Sequence, residues 1–342
     1  IHERLVGSEM CIRDSKFTLQ PKPFRLSLKS NDYDLKRRGY FMLHKLSNLK
    51  AVLLAFLVVA LGIGLAGCSS SSSSSNGKIK ITATTDFYGE VAKAVAGNKG
   101  DVTSIINNPN VDPHDYQATT KVAKETVGSK IVIANGIGYD GWMNNLVKDS
   151  SKVDYIKVGE DLMNKKNGDN PHLWYNPATM PKLANTIATK LGKLQPKNKA
   201  YFKKNAKKYI ASLKPINDKI AQLKQIASTK KNKEVYVSEP VFDYALQATG
   251  FKVGDTKFEN DTEKGVDPSP QTIKTMQNGI KNHKIAFFVF NKQVDSKTVN
   301  NLVALAKKNK VPVLPVTETL PANKTYVSWM DSQYTKLINI LK

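Results

Sequence analysis

Cysteine is almost missing from this chain: Cys11 and Cys68 are the only two in 342 residues. They stand 57 positions apart, which excludes a fold held together by a disulfide framework. Long apolar runs are missing too. The one extended run, 51–66, has 16 residues, short of the roughly 20 that a spanning helix needs. Acid is scarce beside base, with 29 Asp+Glu against 52 Lys+Arg and a formal charge of +23. Taken alone, that excess points to nucleic acid or to an anionic surface. Histidine is rare, and beyond position 68 only His114, His172 and His283 occur. What remains, 40% hydrophobic and 24% charged residues, is the make-up of a globular chain and excludes a disordered or collagen-like one. The length suits two domains.

The N-terminus decides between the two kinds of partner. Residues 1–41 show neither helical nor strand periodicity, begin at Ile1, and open with IHERLVGSEMCIRDS, which resembles translated sequencing-adapter read-through. They are expected to be a non-native leader, with the natural start at Met42. Residues 42–67 then read as a secretory signal: Lys45 and Lys50, the short apolar run, and small residues before a cut site. Leu65-Ala66-Gly67-Cys68 resembles a bacterial lipoprotein box. That resemblance implies cleavage before Cys68 and lipid on its thiol, since two acyl chains hold a protein on a bilayer where one would not. Residues 68–77 form a serine-rich tether with a reach of roughly 15–20 Å. An exported, tethered chain does not meet nucleic acid. Its basicity then suits anionic lipid or wall polymer, or is simply a solvated lysine surface.

From Lys78 onward β-rich runs alternate with helix-length patterns. Strands are expected at 79–84, 102–106, 131–134, 155–158, 234–237, 285–290 and 311–316. Alternation of this kind predicts an α/β fold: two lobes, each a mostly parallel sheet with flanking helices, at 78–197 and 231–342. Between them, at 198–230, Phe202, Ala206, Tyr209, Leu213, Ile216, Ile220 and Leu223 recur at spacings of 4 and 3. The stripe predicts one long rigid helix joining the lobes, kinked at Pro215 but unbroken. An arm packed on one lobe would give the same pattern.

Two of the three histidines directly follow proline, in Asp112-Pro113-His114 and Asn170-Pro171-His172. With 15 prolines in the chain, chance gives that coincidence about 0.6% of the time. Proline stiffens a loop, and each motif lies between an expected strand and an expected helix, where open α/β sheets place ligand sites. Two neutral imidazoles suit a borderline cation such as Zn²⁺ or Mn²⁺. Glu239 occupies the corresponding strand-end position in the second lobe, as a ligand or as a charge at a helix N-terminus. Asp295 follows the last long apolar strand, as a ligand or an N-cap. Trp174 is read as a pocket wall or core filler. His283 is read as surface, and Glu259, Asp261 and Glu263 as a solvated loop.

DPHDY at 112–116, ANG at 134–136, NPHLW at 170–174, SEPVF at 238–242, the lipoprotein box and the long helix expected in mid-chain together resemble the metal-specific solute-binding lipoproteins of bacterial ABC importers. The resemblance covers essentially all of 78–342. It implies a divalent transition metal, Zn or Mn, held between the lobes as transported cargo rather than as a catalytic cofactor. By the same resemblance His114, His172 and Glu239 are ligands, and the fourth falls at Asp295 or its neighbour Ser296. The implied partners are the ion, a membrane permease and the membrane through a lipid anchor, with no nucleic acid. The chain is expected to act as a monomer on the outer face of the cell membrane, and not as an enzyme. Two other readings stay open: a surface adhesin or structural lipoprotein, and a secreted zinc hydrolase, although no HExxH motif is present.

Overall fold

β-Branched residues dominate Ile79–Thr85 (β1), which is buried almost throughout, as expected of a strand covered on both faces. Asp86–Ala96 (α1) follows at once and turns Phe87, Tyr88, Val91 and Val95 inward. The alternation continues through Gly100–Ile106 (β2), Thr120–Thr126 (α2), Ile131–Ala134 (β3), Trp142–Val147 (α3), Asp154–Lys157 (β4) and Thr179–Leu194 (α4). Two helices, Lys199–Ser212 (α5) and Lys214–Thr229 (α6), lead to the second set. That set runs Glu234–Val237 (β5), Asp243–Thr249 (α7), Lys252–Val253 (β6), Thr256–Glu263 (α8), Pro270–Lys281 (α9), Phe287–Asn291 (β7), Lys297–Lys308 (α10), Val313–Val316 (β8) and Tyr326–Leu341 (α11). This computed structural model describes residues 77–342 other than 149, 151 and 294. The expected leader, signal segment, Cys68 and the serines at 69–75 lie outside the described residues. Among the described residues no helix is long and apolar enough to cross a membrane.

Every strand pair is parallel, and the two sheets share one order, β2-β1-β3-β4 and β6-β5-β7-β8. In each the winding reverses beside the first strand, the place where open α/β sheets leave a crevice at their carboxyl ends. The chain is therefore a two-lobe α/β fold in which the loops after the strands meet.

The apolar stripe expected between the lobes is buried from Phe202 to Leu223. It belongs to two helices rather than one rod. α5 stops at Ser212, and Leu213, at φ −79° and ψ −4°, caps it with a bond from its N–H to the Ile210 carbonyl, 3.1 Å. Pro215 then sits in the first turn of α6, where a missing N–H goes unnoticed. Leu213 keeps a right-handed helical conformation, so the stripe holds its phase across the break.

One contiguous apolar core threads both lobes. Its centre is aromatic: Phe87 lies 4.7 Å from Trp174 between ring centroids, and Tyr175 lies 5.1 Å from Phe242 and 5.7 Å from Trp329. Hydrogen bonds cross the same surface. Tyr326 donates its hydroxyl to the Trp174 carbonyl at 2.6 Å, and Tyr175 donates to the Thr317 carbonyl at 2.5 Å. Trp174 is wholly buried, and its ring sits edge-on to His172 at 5.3 Å, so it both fills the core and backs the imidazole.

Candidate metal centre

The two Pro-His motifs fold alike. In the loop after β2, the Asp112 Oδ1 accepts the backbone N–H of His114 at 2.9 Å; in the segment after β4, the Asn170 Oδ1 accepts that of His172 at 3.0 Å. Each Asx turn closes around a proline of fixed φ, and together they set where the imidazole leaves the backbone. The rings meet with centroids 6.2 Å apart.

Two carboxylates face them, and both come from the second lobe. Glu318, just past β8, brings Oε1 to 3.4 Å from His114 Nε2 and 3.8 Å from His172 Nε2. Glu263, at the end of α8, brings Oε1 to the same distances, 3.4 and 3.8 Å. Ligand atoms of His114, His172 and Glu318 all lie within 4.8 Å of one another. A tetrahedral ion with bonds of about 2.1 Å separates its ligand atoms by about 3.4 Å, so these spacings fit one cation. Two of the four atoms, His172 Nε2 and Glu263 Oε1, are buried without a hydrogen-bond partner. Buried polar atoms are rarely left so, and an ion would satisfy both.

Neighbouring side chains fix the ligands. Asn170 Oδ1 lies 2.9 Å from His172 Nδ1, which places the ring proton there and leaves the Nε2 lone pair facing the cluster. Tyr139, from the first lobe, donates its hydroxyl to Glu318 Oε1 at 3.0 Å. The Tyr139 loop is itself held by buried Asp140, which accepts Asn135 N–H at 2.7 Å, Gly136 N–H at 2.9 Å and the Thr84 hydroxyl at 2.6 Å. Gly136 turns the loop at φ +78°, and a side chain there would collide with the Glu160 carboxylate. Gln293 ties the lobes from the other side. Its Oε1 accepts the N–H groups of Glu318 and Thr319 at 2.7 and 3.1 Å, while its Nε2 donates to the Pro109 carbonyl at 2.7 Å.

The charges interlock. Burial would lower His114, but the paired Glu318, with Glu263 and Asp112 nearby, outweighs it and raises the imidazole to about 9. Burial opposes the charge on His172 as well, and the same two glutamates raise it nonetheless. For Glu318 burial pulls upward, and the two imidazoles overcome it and hold the carboxyl well below the usual carboxylate range. Burial lifts Glu263. Around the mouth, burial and the facing Asp243 push Glu259 up to about 9, and burial raises Asp243 to about 6. A cavity of about 390 Å³ opens there, lined by His114, Asn170, Asp243 and Glu263.

The candidate ligands read from the sequence are therefore distributed unevenly. His114 and His172 come together. Glu239 is buried beside them, close enough to feel Glu263, Glu318 and His172, and burial raises it to about 7. Its Oε2, however, accepts the Asn291 amide at 3.0 Å. Asp295 is outside the cluster: it is exposed and accepts the Asn300 amide at 3.1 Å, while Ser296 caps α10. Gln293, not Asp295, is the side chain that reaches Glu318, at its backbone N–H. Among the described residues only Glu263 and Glu318 bring a carboxylate oxygen within 4.0 Å of these imidazoles.

Glu263 corrects a reading. The 259–263 acids are not a solvated loop but the end of α8, capped by Asp255 accepting Phe258 N–H at 3.0 Å and pinned by fully buried Phe258. One buried aromatic gives no period to read. Glu318 was within reach of the rule that singled out Glu239, since it follows a strand end directly. His283 is exposed.

Comparison with known proteins agrees with this architecture. The family model described as "ZnuA: Zinc-uptake complex component A periplasmic" matches residues 81–340. A metal ABC transporter substrate-binding lipoprotein, FimA, of Streptococcus parasanguinis is 30% identical over 273 residues, 75% of this chain and 85% of the relative. A manganese ABC transporter substrate-binding lipoprotein, PsaA, of Streptococcus mitis is 28% identical over 239 residues, 66% of this chain and 76% of its own. Among solved structures, the Mn²⁺ complex of the solute-binding protein FpvC of Pseudomonas aeruginosa superposes with a TM-score of 0.63 at 20% identity. It covers 77% of this chain and 98% of that one, a likeness of fold.

Proposed function

The chain belongs to the zinc-uptake complex component A family of metal-importer binding proteins, and we propose that His114, His172, Glu263 and Glu318 hold its cargo between the lobes. The family consists of solute-binding components of ABC importers, not enzymes, so the protein captures a divalent transition metal outside the cytoplasm and hands it to a permease. One observation carries the ligand set: the Oε1 atoms of Glu263 and Glu318 each lie 3.4–3.8 Å from both imidazole Nε2 atoms, and two of these four atoms are buried and unpartnered.

Two imidazoles and two carboxylates serve Zn²⁺ as a four-coordinate site and Mn²⁺ when the carboxylates bind through both oxygens. Zn²⁺ or Mn²⁺ is the proposed cargo, with Mn²⁺ also the ion in the name of the Streptococcus mitis relative. Lipid on Cys68 is the proposed anchor, and a monomer the proposed acting form. The sequence domains at 78–197, 198–230 and 231–342 are proposed as first lobe, link and second lobe. Both lobes contribute ligands, so binding closes the cleft: the histidines come with the first sheet and the glutamates with the second.

Titration of chelator-stripped protein with Zn²⁺ and Mn²⁺ tests this. One ion per chain is expected, lost in His114→Ala/Glu318→Ala. Wild-type affinity in that variant would overturn the ligand set.

A further inference from the structure

The positive charge of this protein is not spread evenly. Between Asp169 and Asp218 there is no acidic residue, while ten lysines occur. Most of them gather at one end of the first lobe. Lys197, Lys199, Lys203, Lys204, Lys207 and Lys208 lie in or just before α5 and are exposed, while Phe202, Ala206 and Tyr209 on the other side of the helix are buried. From Lys197 to Lys208 the face runs about 16 Å. Among the described residues none of these six is in an ion pair, whereas Lys190, Lys214 and Lys219 each have an acidic partner.

The first described residue lies against the start of this face. The Gln195 side-chain amide, between α4 and α5, donates to the Gly77 carbonyl at 2.5 Å. Gly77 precedes β1, so it sits at the amino end of the sheet, about 23 Å of strand away from the loops that carry the histidines. The eight residues 69–76 separate it from Cys68. Serine-rich sequence of that length is expected to have a reach of roughly 15–20 Å.

We infer that the α5 lysine face docks on anionic lipid headgroups of the membrane that holds the anchor. The inference rests on the proposed lipidation of Cys68 for its geometry. A basic face beside a lipid anchor supplies the second attachment that acyl chains commonly use for stable binding. Resting on this face, the protein sits with the amino end of its first sheet toward the bilayer and the metal centre at the far end of that sheet.

The test uses the processed chain 68–342 carrying Cys68→Ser, so that no lipid contributes. Its partition onto vesicles of phosphatidylcholine with about a third phosphatidylglycerol is compared with pure phosphatidylcholine. One variant carries Lys199, Lys203, Lys204, Lys207 and Lys208→Gln. A charge-matched control carries Lys252, Lys274, Lys281, Lys284 and Lys297→Gln in the second lobe. Metal titration verifies that both fold. The α5 variant is expected to lose at least about thirtyfold in partition onto the anionic vesicles, and the control less than about threefold. Equal losses would mean that only net charge matters, and a wild-type face indifferent to phosphatidylglycerol would end the proposal. Lipidation fails separately, if the chain with Cys68 intact takes up no labelled lipid in a bacterial host.

Discussion

Asn170 Oδ1 lies 2.9 Å from His172 Nδ1 and 3.0 Å from the backbone nitrogen of the same residue. One amide oxygen thus sets both the turn and the tautomer of a buried imidazole. The amide nitrogen donates to the Pro240 carbonyl at 2.7 Å, so the same side chain reaches the opposite lobe.

Asn170→Ala should therefore lower metal affinity by about 10- to 100-fold without removing a ligand, the range usual for such supporting groups. Competition against a chelating indicator measures it. An unchanged Kd would mean that His172 is held by packing against Trp174 alone.

Metal affinity should rise with pH from about 6 to 9. Both imidazoles are raised above their ordinary value in the metal-free protein, His114 to about 9, and a cation must displace those protons. With both rings deprotonating, the slope approaches about two decades per pH unit. Titrations across this range, with proton release followed in weak buffer, check it.

The metal-free protein should show the opposite trend in stability. A raised imidazole stabilises the fold fully below its unfolded value of about 6.5 and loses that contribution as pH rises through about 9. Depressed Glu318 stabilises above about 4.3 and loses its share as the pH falls further. Tm after chelation is thus expected to fall between pH 6.5 and 9.5, and His114→Gln should flatten the decline.

Glu318→Gln removes the charge that both histidines share. Affinity should drop by at least about 100-fold, and the His114 imidazole should titrate closer to its ordinary value, readable by NMR on the apo protein. The Tyr139 hydroxyl, 3.0 Å from Glu318 Oε1, can still donate to the amide oxygen, which separates loss of charge from loss of shape.

Gln293→Ala should act on dissociation. The side chain bonds Glu318 and Thr319 within its own lobe and Pro109 across the cleft, each bond worth about 1 kcal/mol net. Metal off-rates are expected to rise about tenfold, read by stopped-flow transfer to a chelator, while Tm changes little because the residue is exposed.

Much of this was legible before the fold was known. β1 announces itself by its β-branched residues and β3 by an unbroken apolar run, and the prolines before His114 and His172 mark both imidazoles as aimed. The second lobe hid its ligands for two reasons. Glu263 stands on a helix whose only buried apolar residue is Phe258, so no apolar period exposes it. Glu318 is a strand-end acid like Glu239, and nothing in the chain distinguishes the one that reaches across from the one that Asn291 engages. Break and kink also look alike in a stripe: Leu213 keeps the phase of the apolar positions whether or not the helix is continuous.

The aromatic core that passes from Trp174 through Phe87 to Trp329 belongs to both lobes at once. Swinging the halves wide apart would wet those rings, at roughly 25 cal/mol for each Å² uncovered. The inexpensive movements are those of the rim: the Tyr139 turn, the Gln293 latch and the α8 end. Cargo exchange in this molecule is thus a matter of unfastening a lip while the hinge region stays dry.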